Sequence, residues 1–180
     1  IVAQIPFPPP HQPTEVEIEE KRRKEVISHN ENEAITVLYN IGLLLEEYLE
    51  YQKKLGQTPK YGTLSDMTDF SEKNPDFPLP SQILPEFGKD FVLFEGYYVQ
   101  IHVNSSGTSW CAYAWPQEFE KTGIRTFFTT NMESFDGLCY FLKISGYEGE
   151  PGGPKTESAF SGKAWESGPA KKNSPANDTH

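Results

Sequence analysis

From Thr14 to Leu55 the chain carries no proline and one glycine, Gly42. Forty-two residues without a strong breaker predict one long helix, about 63 Å end to end at 1.5 Å per residue. Thr14 followed by Glu17 fits a capping box, in which hydroxyl and carboxylate each accept a free backbone amide. Glu15, Glu17, Glu19 and Glu20 complement the positive end of the helix dipole. Gly56 supplies a C-terminal stop, with Pro59 just beyond. A helix of that length exceeds the width of one domain of 180 residues, so part of it must project.

The apolar pattern says which part. Glu15 to Glu25 is nearly all charged. From Val26 onward, Ile27, Ala34, Leu38, Ile41, Leu45, Tyr48 and Leu49 recur at helical spacing, widened by Ile35, Val37, Leu44 and Tyr51. The second half is therefore amphipathic and needs a partner surface. The charged half is read as a solvated, projecting segment and a handle for assembly.

Prolines partition the rest. Pro6, Pro8, Pro9, Pro10 and Pro13 hold the first thirteen residues close to polyproline II. This extended arm reads as a stiff linker or as a strand that docks on a neighbour. The chain opens Ile1-Val2-Ala3-Gln4-Ile5 without Met, which reads as a processed or truncated product, either with these residues as the tail end of a lost upstream membrane segment or as a domain assembled without one. At the other end, Gly, Pro and Ser make up fifteen of the thirty-six residues 145–180, so that tail is expected to be irregular. Phe160 and Trp165 are aromatics that would lay such a tail back on a surface groove.

Between the helix and about Gly88, Tyr61-Gly62-Thr63-Leu64 leads into a stretch where Pro75, Pro78, Pro80 and Pro85 are expected to prevent regular structure. Phe91 to Val103 then reads as strand, with Tyr97, Val99, Ile101 and Val103 alternating against Tyr98, Gln100 and His102. Asn104-Ser105-Ser106-Gly107 reads as a turn. Ser109–Trp115, Ile124–Thr130 and Leu138–Ile144 read as three more strands. Short connections make an antiparallel meander the natural topology, with the helix on one face. The predicted fold is α+β: a long N-terminal helix packed on a four-stranded antiparallel meander sheet. It divides into an arm (1–13), a domain (14–144: helix 14–55, loop 56–90, sheet 91–144) and a tail (145–180).

Charge and composition exclude several functions. The formal net charge is -10, and outside Lys21 to Lys24 no basic run offers the field that phosphate binding needs, which argues against nucleic acid. No 18-residue apolar stretch is present, so no membrane span lies in the visible chain. Two cysteines and the scattered His11, His29, His102 and His180 match no zinc spacing. No nucleophile elbow, zinc-protease helix or glycine-rich phosphate loop occurs. His102 is read as a surface imidazole. Glu118 and Glu120 beside Lys121 are read as a solvated turn, and Asp66, Asp69 and Glu72 as at most a weak cation loop. The expectation is a non-enzymatic protein with no cofactor and no metal.

Cys111 and Cys139 fall mid-strand, and outside the cytosol a disulfide between them would close a loop of about 28 residues, worth about 3 kcal/mol. In the cytosol they would be buried thiols. Asn104 and Asn177 begin N-glycosylation patterns. Tyr98, Trp110, Tyr113 and Trp115 read first as core and cross-strand pairs. Exposed, they would instead serve a monomeric extracellular module that recognises glycan or peptide.

Asn32-Glu33-Ala34-Ile35-Thr36-Val37-Leu38, followed by Tyr61-Gly62-Thr63-Leu64, resembles the helix exit of type IV pilin-like and type II secretion pseudopilin-like proteins. Met67 stands where Leu is usual. Gly96-Tyr97-Tyr98-Val99-Gln100-Ile101 resembles a strand of that group. Cys111-Ala112-Tyr113-Ala114-Trp115-Pro116 with Thr122-Gly123-Ile124-Arg125-Thr126-Phe127-Phe128 is similar to its later strands. The resemblance covers about residues 30–144 and lacks the group's hydrophobic N-terminal helix half. It implies a structural subunit of an extracellular or cell-envelope filament, exported and self-associating or joined to other pilin-like subunits, with no catalytic residues. Ile1, Val2, Ile5, Phe7, Ile18, Val26 and Ile27 are the candidate assembly residues.

Overall fold

The structure, a computed structural model, describes residues 12–83, 90–131, 143, 144, 149, 153 and 160. Helix α1 (Glu15–Lys54) is continuous. Its capping box forms as the sequence predicts: Glu17 N–H donates to Thr14 Oγ1 at 3.3 Å, and Thr14 N–H donates to Glu17 Oε2 at 2.7 Å. The chain leaves the helix through Gly56 and returns along it. Gln52 clamps the return at both ends of one residue, donating to the Lys60 carbonyl at 3.0 Å and accepting the Lys60 amide at 2.9 Å.

The segment after this clamp departs from expectation. Instead of a loop to residue 90 it holds a second helix, α2 (Leu64–Lys73), capped by Thr63 and Asp66 in the same reciprocal way as α1. The prolines that argued against regular structure begin only at Pro75, after α2 has ended. Leu64 and Met67 are completely buried, Met67 filling a core position from this helix. Tyr48, Tyr51, Phe70 and Phe77 pack edge to face or tilted with centroids 4.9–5.8 Å apart, tying α2 and the following loop to the end of α1.

The sheet is antiparallel, in the order β1-β2-β3-β4-β5. Four strands are of ordinary length: β1 (Phe91–Phe94), β2 (Tyr97–Val103), β3 (Trp110–Pro116) and β4 (Arg125–Thr130). The fifth, β5 (Lys143–Ile144), is a two-residue pairing on Arg125 and Thr126. The expected single strand 91–103 is a hairpin. Its bend lies at Glu95 and Gly96, with φ of 45° and 74°, the left-handed pair that matches strand twist in a two-residue turn. Phe91 to Phe94 is apolar throughout and stands only two residues before the alternating run from Tyr97, which is why the hairpin read as one run.

One sheet face receives α1. Tyr97, Val99 and Ile101 from β2, Trp110, Ala112 and Ala114 from β3, and Phe127 from β4 pack with Ala34, Leu38, Ile41 and Leu45. The two β3 alanines and Ala34 let backbone approach backbone. The opposite face is also covered, in line with the core reading of Tyr98, Tyr113 and Trp115 and against the polar reading of His102. Tyr98, Cys111, Tyr113, Trp115 and Phe128 form a second buried cluster, against which Phe91 and Phe160 pack. His102 is not the surface imidazole expected. It is 3% exposed, its ring edge-on to Tyr113 at 5.9 Å.

Candidate functional site

The sheet stops covering α1 at Ile27. From Glu15 to Val26 every helix residue is exposed, including Val16 at 76%, Ile18 at 38% and Val26 at 50%. Ile27, grouped with them by sequence, is buried because it is the first residue to reach the core. Charges on this projecting half pair along the helix: Lys24 with Glu20 at 2.8 Å, Lys21 with Glu25 at 3.8 Å, and Arg22 with Glu19 at 4.0 Å. The Lys24 hydrogen bond holds the Glu20 carboxyl below its ordinary value, with the Lys24 charge acting in the same direction. These pairs are solvated and hold little stability.

One helical turn further on lies a junction that joins α1 to the β3–β4 connection. Asn30 and Glu31 are both 7% exposed. Asn30 donates from Nδ2 to the Thr122 carbonyl at 2.9 Å. Glu31 Oε1 accepts the amides of Ile124 and Arg125, each at 3.1 Å. Its Oε2 meets the Arg125 guanidinium at 3.3 Å. Behind them the Tyr97 hydroxyl donates to the Arg125 carbonyl at 2.9 Å. Burial, reinforced by the Glu31 charge, holds that phenol well above its ordinary value. Two glycines make the space: a methyl on Gly123 would sit 2.0 Å from the Tyr97 hydroxyl, and one on Gly96 would sit 2.8 Å from Thr122 Cβ.

Sequence reasoning passed over Asn30 and Glu31 and quoted Asn32-Glu33 instead. Asn32 is exposed. The available signal was spacing: Asn30 and Glu31 lie three and four residues after Ile27, and four and three before Ala34, on the apolar stripe itself. Polar residues on that stripe must find partners when buried.

The remaining candidates are dispersed. Ile1, Val2, Ile5, Phe7, Cys139 and Asn177 lie outside the described residues. Cys111 is buried in β3, and desolvation pushes its thiol up to about 12. Asn104 closes its turn, its Oδ1 accepting the Thr108 and Ser109 amides at 2.8 and 3.1 Å and its Nδ2 donating to Thr108 Oγ1 at 3.0 Å. Tyr98, Trp110, Tyr113 and Trp115 are 8%, 1%, 2% and 2% exposed, so they offer no open platform. Trp110 faces α1. Trp115 is covered on the other side by Gly153, and donates from Nε1 to the Gly149 carbonyl at 3.0 Å.

Asp66 is committed to capping α2, and among the described residues no group of three His, Cys, Asp or Glu could hold a metal ion. Glu118 pairs with Lys121 in an exposed turn. No described helix is long and apolar enough to cross a membrane. No family model, curated protein or solved structure matches the chain.

Proposed function

We propose that this chain is a non-enzymatic, pilin-like structural subunit of an exported, extracellular or cell-envelope assembly, acting by self-association or by joining similar subunits. One observation carries the reading: a capped, charge-paired helix half runs from Glu15 to Val26 with every residue exposed. A helix half that is exposed along its whole length and packs on none of the other described residues, yet is continuous with the core helix, is suited to a contact between chains. Three of the segments that resemble pseudopilin-like proteins lie next to α1 or at its exit, which supports this reading. Gly96-Tyr97 and Thr122 to Arg125 build the junction with α1, and Tyr61 to Leu64 builds the turn into α2. They lock the helix to the sheet and leave the charged half free to extend.

Negative-stain microscopy and sedimentation of the native protein test the reading. Filaments or discrete oligomers support it, and a monomer at every concentration overturns it. The arm contributes separately: deletion of residues 1–13 is expected to reduce oligomer size, and an unchanged size removes the arm from the mechanism.

A further inference from the structure

We propose that the projecting half of α1 pairs antiparallel with the same segment of a second copy of the chain, through the face made by Val16, Glu19, Glu20, Arg23 and Val26. This rests on the self-association reading and names the surface that performs it.

The first argument is continuity. The stripe that packs on the sheet (Tyr48, Leu45, Ile41, Leu38, Ala34, Asn30, Ile27) continues at the same three- and four-residue steps through Arg23, Glu20 and Val16. Glu19 and Val26 flank it. The cover ends where the sheet ends, but the stripe does not, and it finishes on a valine that is 76% exposed.

The second argument is charge complementarity. Every charge from Glu15 to Glu20 is acidic, and Lys21, Arg22, Arg23 and Lys24 are four consecutive cations. A two-fold axis crossing the helix at the level of Lys21 sets Glu19 of each copy against Arg23 of the other. The same axis sets Val16 against Val26 at both ends. The patch is thus self-complementary, as a two-fold interface requires. A parallel pair would set acid against acid and base against base, which costs energy and blocks that register. The ion pairs already present within the helix are exposed and exchange readily. The contact is about 15 Å long, at the small end for a specific interface, so it holds an assembly by repetition with other contacts.

Charge reversal tests the geometry in the full chain. E19K/E20K makes the segment wholly basic on this face, and R22E/R23E makes it acidic. All four positions are exposed, and circular dichroism checks that helix content is kept. By sedimentation velocity each variant alone is expected to associate at least tenfold more weakly than the native chain. An equimolar mixture is expected to regain native-like association, because each basic face meets an acidic one. V16S/V26S, which changes no charge, is expected to weaken association as well. If the native chain and all three variants associate equally, this surface is not the contact while self-association stands. If the mixture does not recover, the antiparallel pairing is wrong. If the native chain is monomeric throughout, the self-association reading itself falls.

Discussion

Glu31 grips Arg125 at two places, its Oε1 accepting the Arg125 amide at 3.1 Å while its Oε2 faces the guanidinium at 3.3 Å. Backbone and side chain of one strand residue are thereby fixed to a helix residue 94 positions earlier. The contact aligns β4 under α1 and sets the point at which the helix leaves the sheet. Glu31→Ala strands two strand amides and a half-exposed guanidinium, and is expected to cost about 3 kcal/mol. Glu31→Gln keeps an acceptor oxygen and is expected to cost about 1 kcal/mol. Urea midpoints at constant m-value measure both, and equal costs would show that the carboxylate geometry is irrelevant.

Gly123→Ala is expected to be as damaging as a core truncation, about 3 kcal/mol. The added methyl would lie 2.0 Å from the Tyr97 hydroxyl, and a fully buried ring has nowhere to retreat without giving up its bond to the Arg125 carbonyl. Thermal unfolding of G123A alone and with Y97F decides the cause. The double variant should recover part of the loss, because removing the hydroxyl removes the nearest clash.

Stability is expected to fall in alkali by way of the tyrosines. Burial raises Tyr97 and Tyr61, the charge of Glu31 adding at the first and a hydrogen bond to Glu46 at the second, which is pushed up to about 12. The unfolded chain loses these protons near an ordinary value of about 10, whereas the folded chain keeps them. The folded state is therefore favoured in full below about 10 and loses that advantage as pH rises from there through 12. Urea midpoints against pH should decline above about 10, and Y97F should flatten the decline. Tyrosinate absorbance in the native protein should report fewer than the nine tyrosines of the chain before unfolding.

Cys111 is expected to resist alkylation at pH 8 while the protein is folded, since it is wholly buried and its thiol is raised to about 12. Intact mass after iodoacetamide treatment checks this, with and without urea and reductant. Modification of Cys111 in the native, reduced protein would place it at a surface. A mass gain that needs both urea and reductant would support the proposed pairing with Cys139.

Much of the architecture is legible in local sequence. The helix ends were legible because caps are local chemistry: Thr14, Glu17 and Gly56 act within a turn of where they stand. Strand β2 was legible from alternation, and β3 from the turn before it and Pro116 at its end. Helix α2 was not, although Thr63 and Asp66 cap it by the same chemistry, because the nearby prolines carried more weight than the ten residues before them. The break between β1 and β2 was hidden because strand-forming apolar residues stand on both sides of a two-residue turn.

What the sequence determined by itself is the pair of helix halves. Helical period and charge are properties of neighbouring residues, so the change from a charged to an amphipathic helix at Val26 could be read directly. Only tertiary structure decided which polar residues belong to the core and which sheet face meets water. Asn30 and Glu31 are tolerated on the apolar stripe because backbone groups about ninety residues away satisfy them, the Thr122 carbonyl for Asn30 and the Ile124 and Arg125 amides for Glu31. His102, which alternation had assigned to solvent, is buried edge-on to Tyr113, on a sheet face where Gly153 and Phe160, from beyond the sheet, lie against Trp115 and its cluster. Both outcomes depend on contacts between segments distant in the chain, and local periodicity carries no information about those contacts.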